Sequence, residues 1–352
     1  MNISSTPSEL KIYGSLDELS EETIDLVNIY VLPSVCLLGI ILNFLSIIIL
    51  VRLRFKTELY KFMLSISVSD FLFLLMSIFL VVFRCGRFCP YGYTYISKLY
   101  ELYFYLYLGN VLLMFVLLVN LLICYNRIRS FSSRSLRAEA TTFRVKILLV
   151  ILVTTLANIP NYAMTRYVKK IGIIRPGANG TSKRWQHEMD VYSVEPLDFS
   201  LIEWVKVVLF VINLARGFIL MIILFLLNLI IAIKLRHYIK ARIIKFGVSI
   251  EKSSLSNNST QNNSNSSNSV SEYKFTVMTL IFGSFYLIGN LPNSLAPILF
   301  IFISNDAYMI YLLFGNFVLF SFHSSNFVFF YLFNNDFKTG FHYLLAKIMR
   351  RS

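Results

Sequence analysis

Charge is scarce in this chain of 352 residues: 15% of them are Asp, Glu, Lys or Arg, while 56% are hydrophobic. A balance that apolar excludes a soluble globule and a disordered chain, and leaves an integral membrane protein. Cysteine is nearly absent. Cys36, Cys85, Cys89 and Cys124 make no CxxC pair and no metal-ligand spacing, which excludes the usual zinc and redox motifs. The four histidines (His187, His237, His323, His342) lie in four different segments, no Gly-rich phosphate loop occurs, and no nucleophile has an evident base. No enzyme and no cofactor are therefore expected. A leader pattern is also missing: residues 1–25 are polar and mostly acidic, with Lys11 as their lone base, so the first apolar run is expected to act as its own insertion signal.

What the chain does have is long apolar runs. They predict seven transmembrane helices at about 26–51, 60–83, 98–127, 145–166, 204–234, 274–304 and 307–335. Residues 1–25 form an N-terminal tail, and 336–352 alternate Phe337, Phe341, Leu344, Leu345 and Ile348 with Lys338, Lys347, Arg350 and Arg351. That tail pattern predicts an amphipathic helix on an anionic lipid surface. Residues 253–271 are almost pure Ser and Asn and are expected to be a disordered linker. The expected fold is an all-α bundle of seven transmembrane helices.

The net charge of +14 is explained by topology rather than by a nucleic-acid partner. With the N-terminus outside, 21 of the 33 Lys and Arg residues fall in inner segments with few acids to offset them, and 10 in outer segments that are nearly balanced. An odd number of spans also argues against the paired-repeat plan of many transporters. The third span is longer than the hydrocarbon core and is expected to cross at a tilt. It ends in Asn126-Arg127 on the inner side and carries Tyr103, Tyr105 and Tyr107 near the outer one.

Polar groups within the spans are the candidates for function, because a charge at the bilayer centre costs about 2.5–3.5 kcal/mol on insertion scales. Asn43, Asp70, Asn120, His323 and Asn326 fall at compatible depths in four spans and are able to share one polar cluster. Two readings stay open: hydrogen-bond glue between helices, or a hydrated switch centre able to hold sodium at Asp70. Arg216 in the fifth span either reaches a solvated outer cavity or snorkels. Sequons stand at Asn2 and Asn179.

In this order the marks resemble the rhodopsin-like G-protein-coupled receptors. They are Gly39 to Asn43, Ser67-Val68-Ser69-Asp70, Asn126-Arg127, Pro292, and Ser324-Ser325-Asn326-Phe327 followed by Phe330 and Phe337. Asn158-Ile159-Pro160 and Gly289-Asn290-Leu291-Pro292 are similar to the invertebrate neuropeptide receptors of the FMRFamide type. The departures are specific. Asn126 replaces the acid before the arginine, Ile128 the aromatic after it, and Phe330 the tyrosine of the seventh span. The family's outer disulfide has no counterpart, since no cysteine lies near Leu102 or between 166 and 203; Cys85 and Cys89 either pair with each other or stay reduced. Gly109 stands where amine receptors carry an aspartate, and 307–335 holds no lysine for retinal.

The resemblance implies a plasma-membrane receptor with an extracellular peptide ligand, a heterotrimeric G protein and membrane lipids as partners. It implies ligand contacts at Glu101, Tyr105, Asn110, Arg216, Asn290 and Asn293. Activation and coupling would involve Asn126, Arg127, Pro292, Asn326 and Phe330. A chemosensory receptor for small molecules is the rival reading. A channel or carrier lined by Asp70, Asn120 and His323 is the third.

Overall fold

The computed structural model describes residues 26–53, 58–83, 94–130, 143–163, 165–174, 187–196, 207–208, 211–212, 214–253, 263–299 and 302–350. The chain is helical throughout this range apart from one strand pair. We number its helices α1 Val27–Arg52, α2 Glu58–Phe83, α3 Tyr95–Ser130, α4 Phe143–Ala163, α5 from Ala215–Ile219 into Leu220–Ser253, α6 Asn263–Leu299, α7 Asn305–Ser324, α8 Asn326–Phe333 and α9 Asn335–Met349. Six of them (α1 to α5 and α7) contain stretches long and apolar enough to cross a bilayer. Their large apolar side chains are exposed in belts, such as Leu38 and Ile41 on α1 and Leu148 and Leu152 on α4. In water such patches would aggregate; around a bundle they meet lipid. The chain is a multi-pass helical membrane protein.

Packing follows from α3, whose 36 residues rise roughly 50 Å at about 1.5 Å each. It touches α2, α4, α5 and α6, while α1, α2, α3, α5, α6 and α7 close a ring in which α7 returns to α1. Helix α4 stands outside the ring against α3, and only 17% of its spanning stretch is buried. Three π-helical stretches, Val27–Val31, Glu101–Gly109 and Ala215–Ile219, lie at one end of the bundle. The opposite, basic end carries Arg52, Arg127, Arg129 and Lys146. There Lys146 bonds Glu58 at 2.8 Å, and the Lys61 ammonium lies 5.7 Å from the Phe143 ring, so α4 is tied to α2.

Three elements differ from the sequence expectation. The polar loop after α4 contains an antiparallel pair, β1 Thr165–Ile174 and β2 His187–Pro196, with Arg166 opposite Glu195. β1 is rich in Ile, Val, Tyr and Thr, which favour pleated backbone, and β2 carries Val191, Tyr192 and Val194; β2 lies against Tyr95–Tyr100 of α3.

The second difference lies in the Ser/Asn stretch, where α6 already begins at Asn263, so 263–271 is helical rather than an open linker. A turn added to an existing helix avoids the cost of nucleation. Residues 254–262 lie outside the described range.

The last long helix is also broken: α7 ends at Ser324 and α8 starts at Asn326. The Ser324 and Ser325 hydroxyls donate to the carbonyls of Phe320 (2.7 Å) and Phe322 (2.7 Å), and the Ser325 amide closes a tight turn to Phe322. A serine pair that competes for backbone carbonyls in this way is a recognised cause of helix kinks.

The tail forms α9 as its apolar stripe predicts. Phe337 is fully buried against Phe327 and Phe330, Tyr343 and Met349 remain exposed, and Arg52 of α1 lies 5.9 Å from the Tyr343 ring.

Candidate functional site

Asp70 is completely buried midway along α2, and both of its carboxylate oxygens are engaged. Oδ1 lies 2.6 Å from Nδ1 of His323 on α7, and Oδ2 accepts from Nδ2 of Asn326 at the start of α8. One proton, on Nδ1 or on Oδ1, makes the first contact a hydrogen bond. His323 and Asn326 flank the Ser325 break, and one acid on α2 therefore holds both halves of the broken helix. On the far side, Asn43 of α1 donates to the His323 carbonyl at 2.8 Å and to the Gly39 carbonyl at 3.0 Å. Ser324 reaches the Val35 carbonyl of α1 at 3.1 Å. This close approach of α1 and α7 requires Gly39: a Cβ there would collide with Ser324 and with Leu74.

Phe73 and Phe322 pack on the His323 ring at centroid distances of 5.1 and 5.2 Å, and Tyr286 of α6 closes the edge at 6.4 Å. The Tyr286 hydroxyl donates to the Leu113 carbonyl of α3. Four buried polar atoms of this region find no hydrogen-bond partner among the described residues: Asn43 Oδ1, Ser67 Oγ, His323 Nε2 and Asn326 Oδ1.

Asn43, Asp70, His323 and Asn326 thus meet in one cluster. Asn120 is buried, but its amide donates to the Val116 carbonyl of its own helix. Ser324, Gly39 and Ser67, marked in the sequence only as motif positions, join this region. A signal for Ser67 was its place one turn before Asp70 on the same helix face. Sodium takes oxygen ligands, as hard cations do. At Asp70 both carboxylate oxygens already face N–H donors, so the side chains as arranged do not fit the ion.

Aromatic rings carry the cluster toward the basic end. Phe322 meets Phe282, Phe282 stacks on Phe330 at 6.1 Å and 26°, and Phe330 meets Phe337 of α9 edge-on at 5.6 Å. Tyr60 of α2 donates to Asp336 at 2.9 Å and lies 3.3 Å from Asn334 Oδ1, which also caps the Phe337 amide. Asn126 and Arg127 sit half-buried in the last turns of α3.

At the other end the predicted contact residues are distributed differently from one open pocket. Glu101 pairs with Lys98 at 2.8 Å, one turn away. Tyr105 is half-buried in the π-helical stretch. Asn110 and Asn290 donate to carbonyls of their own helices, Leu106 and Tyr286. Asn293 bridges helices, to Gly315 of α7 at 3.5 Å, beside a 2.6 Å bond from Tyr311 to the Pro292 carbonyl. Ser294 donates to the Met221 sulfur of α5. Arg216 belongs to the first turn of α5, and its side chain lies outside the described residues, as do Asn2, Asn179, Cys85 and Cys89.

Fold and site together define a multi-pass helical membrane protein with a fully buried acid, base and amide cluster at a helix break. Compared with known proteins, the chain matches no family model, and no curated protein sequence is significantly similar to it.

Proposed function

We propose that the chain is a rhodopsin-like G-protein-coupled receptor of the plasma membrane, with α6 as a further span and the N-terminus outside. It binds an extracellular ligand, a short neuropeptide, between the outer ends of α3, α5, α6 and α7, and activates a heterotrimeric G protein. It is not an enzyme. The observation that carries this reading is the bonding of Asp70 to His323 and Asn326 on both sides of the Ser325 break. Such a joint has two arrangements available, and a ligand acts by preferring one of them.

The outer ends of α5, α6 and α7 are coupled through Ser294 to Met221, Asn293 to Gly315 and Tyr311 to Pro292. Pro292 leaves one helical hydrogen bond unmade within α6, which makes that turn the natural hinge. A peptide wedged between these ends, with the Lys98–Glu101 pair and Tyr105 as recognition groups, tilts α6 and opens the basic end beside Arg127. Asn126 is uncharged, so the lock that an acid before Arg127 would supply is lost or replaced by an uncharged hydrogen bond.

The test is expression in cells carrying a promiscuous G protein, with amidated peptides as ligands and calcium as readout. A response that Arg127→Ala abolishes, with peptide binding retained, is the expected result. Silence across the peptide set with surface expression verified would overturn the peptide-receptor reading.

A further inference from the structure

We propose that His323 is the built-in counter-group of Asp70: its imidazole stands where a small cation would otherwise neutralise the buried carboxylate, and it keeps this chain indifferent to sodium. An acid with no solvent exposure needs compensation, since an unpaired charge in hydrocarbon is among the costliest groups a fold can hold. Here the compensation is covalently part of the bundle, with Nδ1 2.6 Å from Oδ1.

The surroundings make the substitution visible. Asn43 Oδ1, Ser67 Oγ and Asn326 Oδ1 are buried oxygens with no partner among the described residues; Ser67 precedes Asp70 by one turn on α2, Asn326 donates to Asp70, and Asn43 donates to the His323 carbonyl. Together with the carboxylate they are oxygens of the chemistry a hard monovalent cation takes. The ring of His323, clamped between Phe73, Phe322 and Tyr286, takes up Oδ1 of Asp70. Among the described residues, the titratable side chains bordering that ring are Asp70 and Tyr286.

A small residue at 323 would vacate the ring's place, release Oδ1 and let these oxygens bind sodium. This inference does not rest on receptor function, and its readout is stability. The full-length chain is purified in lipid nanodiscs, and its thermal midpoint is compared in sodium, potassium and choline chloride at equal ionic strength. For the unmodified protein the expected midpoints coincide. His323→Ser is expected to melt lower than the unmodified chain in choline and to recover by several degrees in sodium only. The double variant Asp70→Asn/His323→Ser is expected to lose that recovery.

A sodium-specific rise in the unmodified protein overturns the proposal. So does a folded His323→Ser that ignores sodium. If His323→Ser does not fold, His323→Ala is measured in its place, and the comparison of the unmodified chain in sodium and choline still decides the first half of the claim.

Discussion

At the scale of single residues, the contact between α1 and α7 rests on the absence of one carbon. A Cβ on Gly39 would overlap both Ser324 and Leu74, neither of which is free to withdraw. Ser324 is fixed to the Phe320 and Val35 carbonyls, and Leu74 is fully buried. Gly39→Ala is therefore expected to destabilise the protein by about 1–3 kcal/mol, the usual cost of overpacking. Thermal unfolding in detergent measures it. Combined with Ser324→Ala, which removes the nearest oxygen, the loss is expected to be smaller than the sum of the two single changes.

The sequence made the components of the cluster legible, because Asn43, Asp70, His323 and Asn326 are polar residues that lipid-exposed positions do not tolerate. It did not reveal which amides would turn back on their own helices. Asn110, Asn120 and Asn290 each bond the carbonyl four residues earlier, a local choice made by rotamer and packing.

At the scale of elements, α9 is the clearest case of a segment readable from its pattern, and its anchorage is the clearest case of one that was not. The alternation of Phe337, Phe341 and Leu344 with basic residues announces an amphipathic helix. Nothing in that pattern says that Tyr60, near the start of α2, bonds Asp336 and Asn334 and so fixes where α9 leaves the bundle. Tyr60 is almost completely buried, so its hydroxyl has no water to turn to. Tyr60→Phe keeps the ring but removes the hydroxyl that joins α2 to Asp336 and Asn334, leaving Asn334 Oδ1 to the Phe337 amide and Asp336 to water. The expected cost is about 1–2 kcal/mol, with faster hydrogen exchange across residues 335–349 than in α7. Equal protection in variant and unmodified protein would mean that the aromatic contacts of Phe337 alone hold the helix. The break between α7 and α8 was hidden for a related reason. Hydropathy runs straight through residues 307–333, and only the Ser324-Ser325 pair marks the place.

For the molecule as a whole, the distribution of charge and the packing of the helices bear on one question, which end faces the cytoplasm. The basic end of the bundle collects Arg52, Arg127, Arg129, Lys146 and the cationic face of α9, and its acids are largely spoken for: Glu58 by Lys146 and Asp336 by Tyr60. Uncompensated Lys and Arg near span ends are retained on the cytoplasmic side during insertion, and a cationic amphipathic helix gains about 1 kcal/mol per Lys or Arg near an anionic leaflet. The other end carries the strand pair, in which Arg166 stands opposite Glu195, so its charges are mixed. Both effects favour the proposed orientation, with the N-terminus and the strand pair outside. An epitope tag ahead of Met1 is then expected to bind antibody on intact cells, and a tag after Ser352 only after permeabilisation. Endoglycosidase treatment is expected to shift the mobility of the chain, and Asn179→Gln to reduce that shift, because only an outward loop passes the glycosylation machinery. The reverse staining pattern would place Arg127 outside the cell, where no G protein could reach it, and the receptor reading would fall with the orientation.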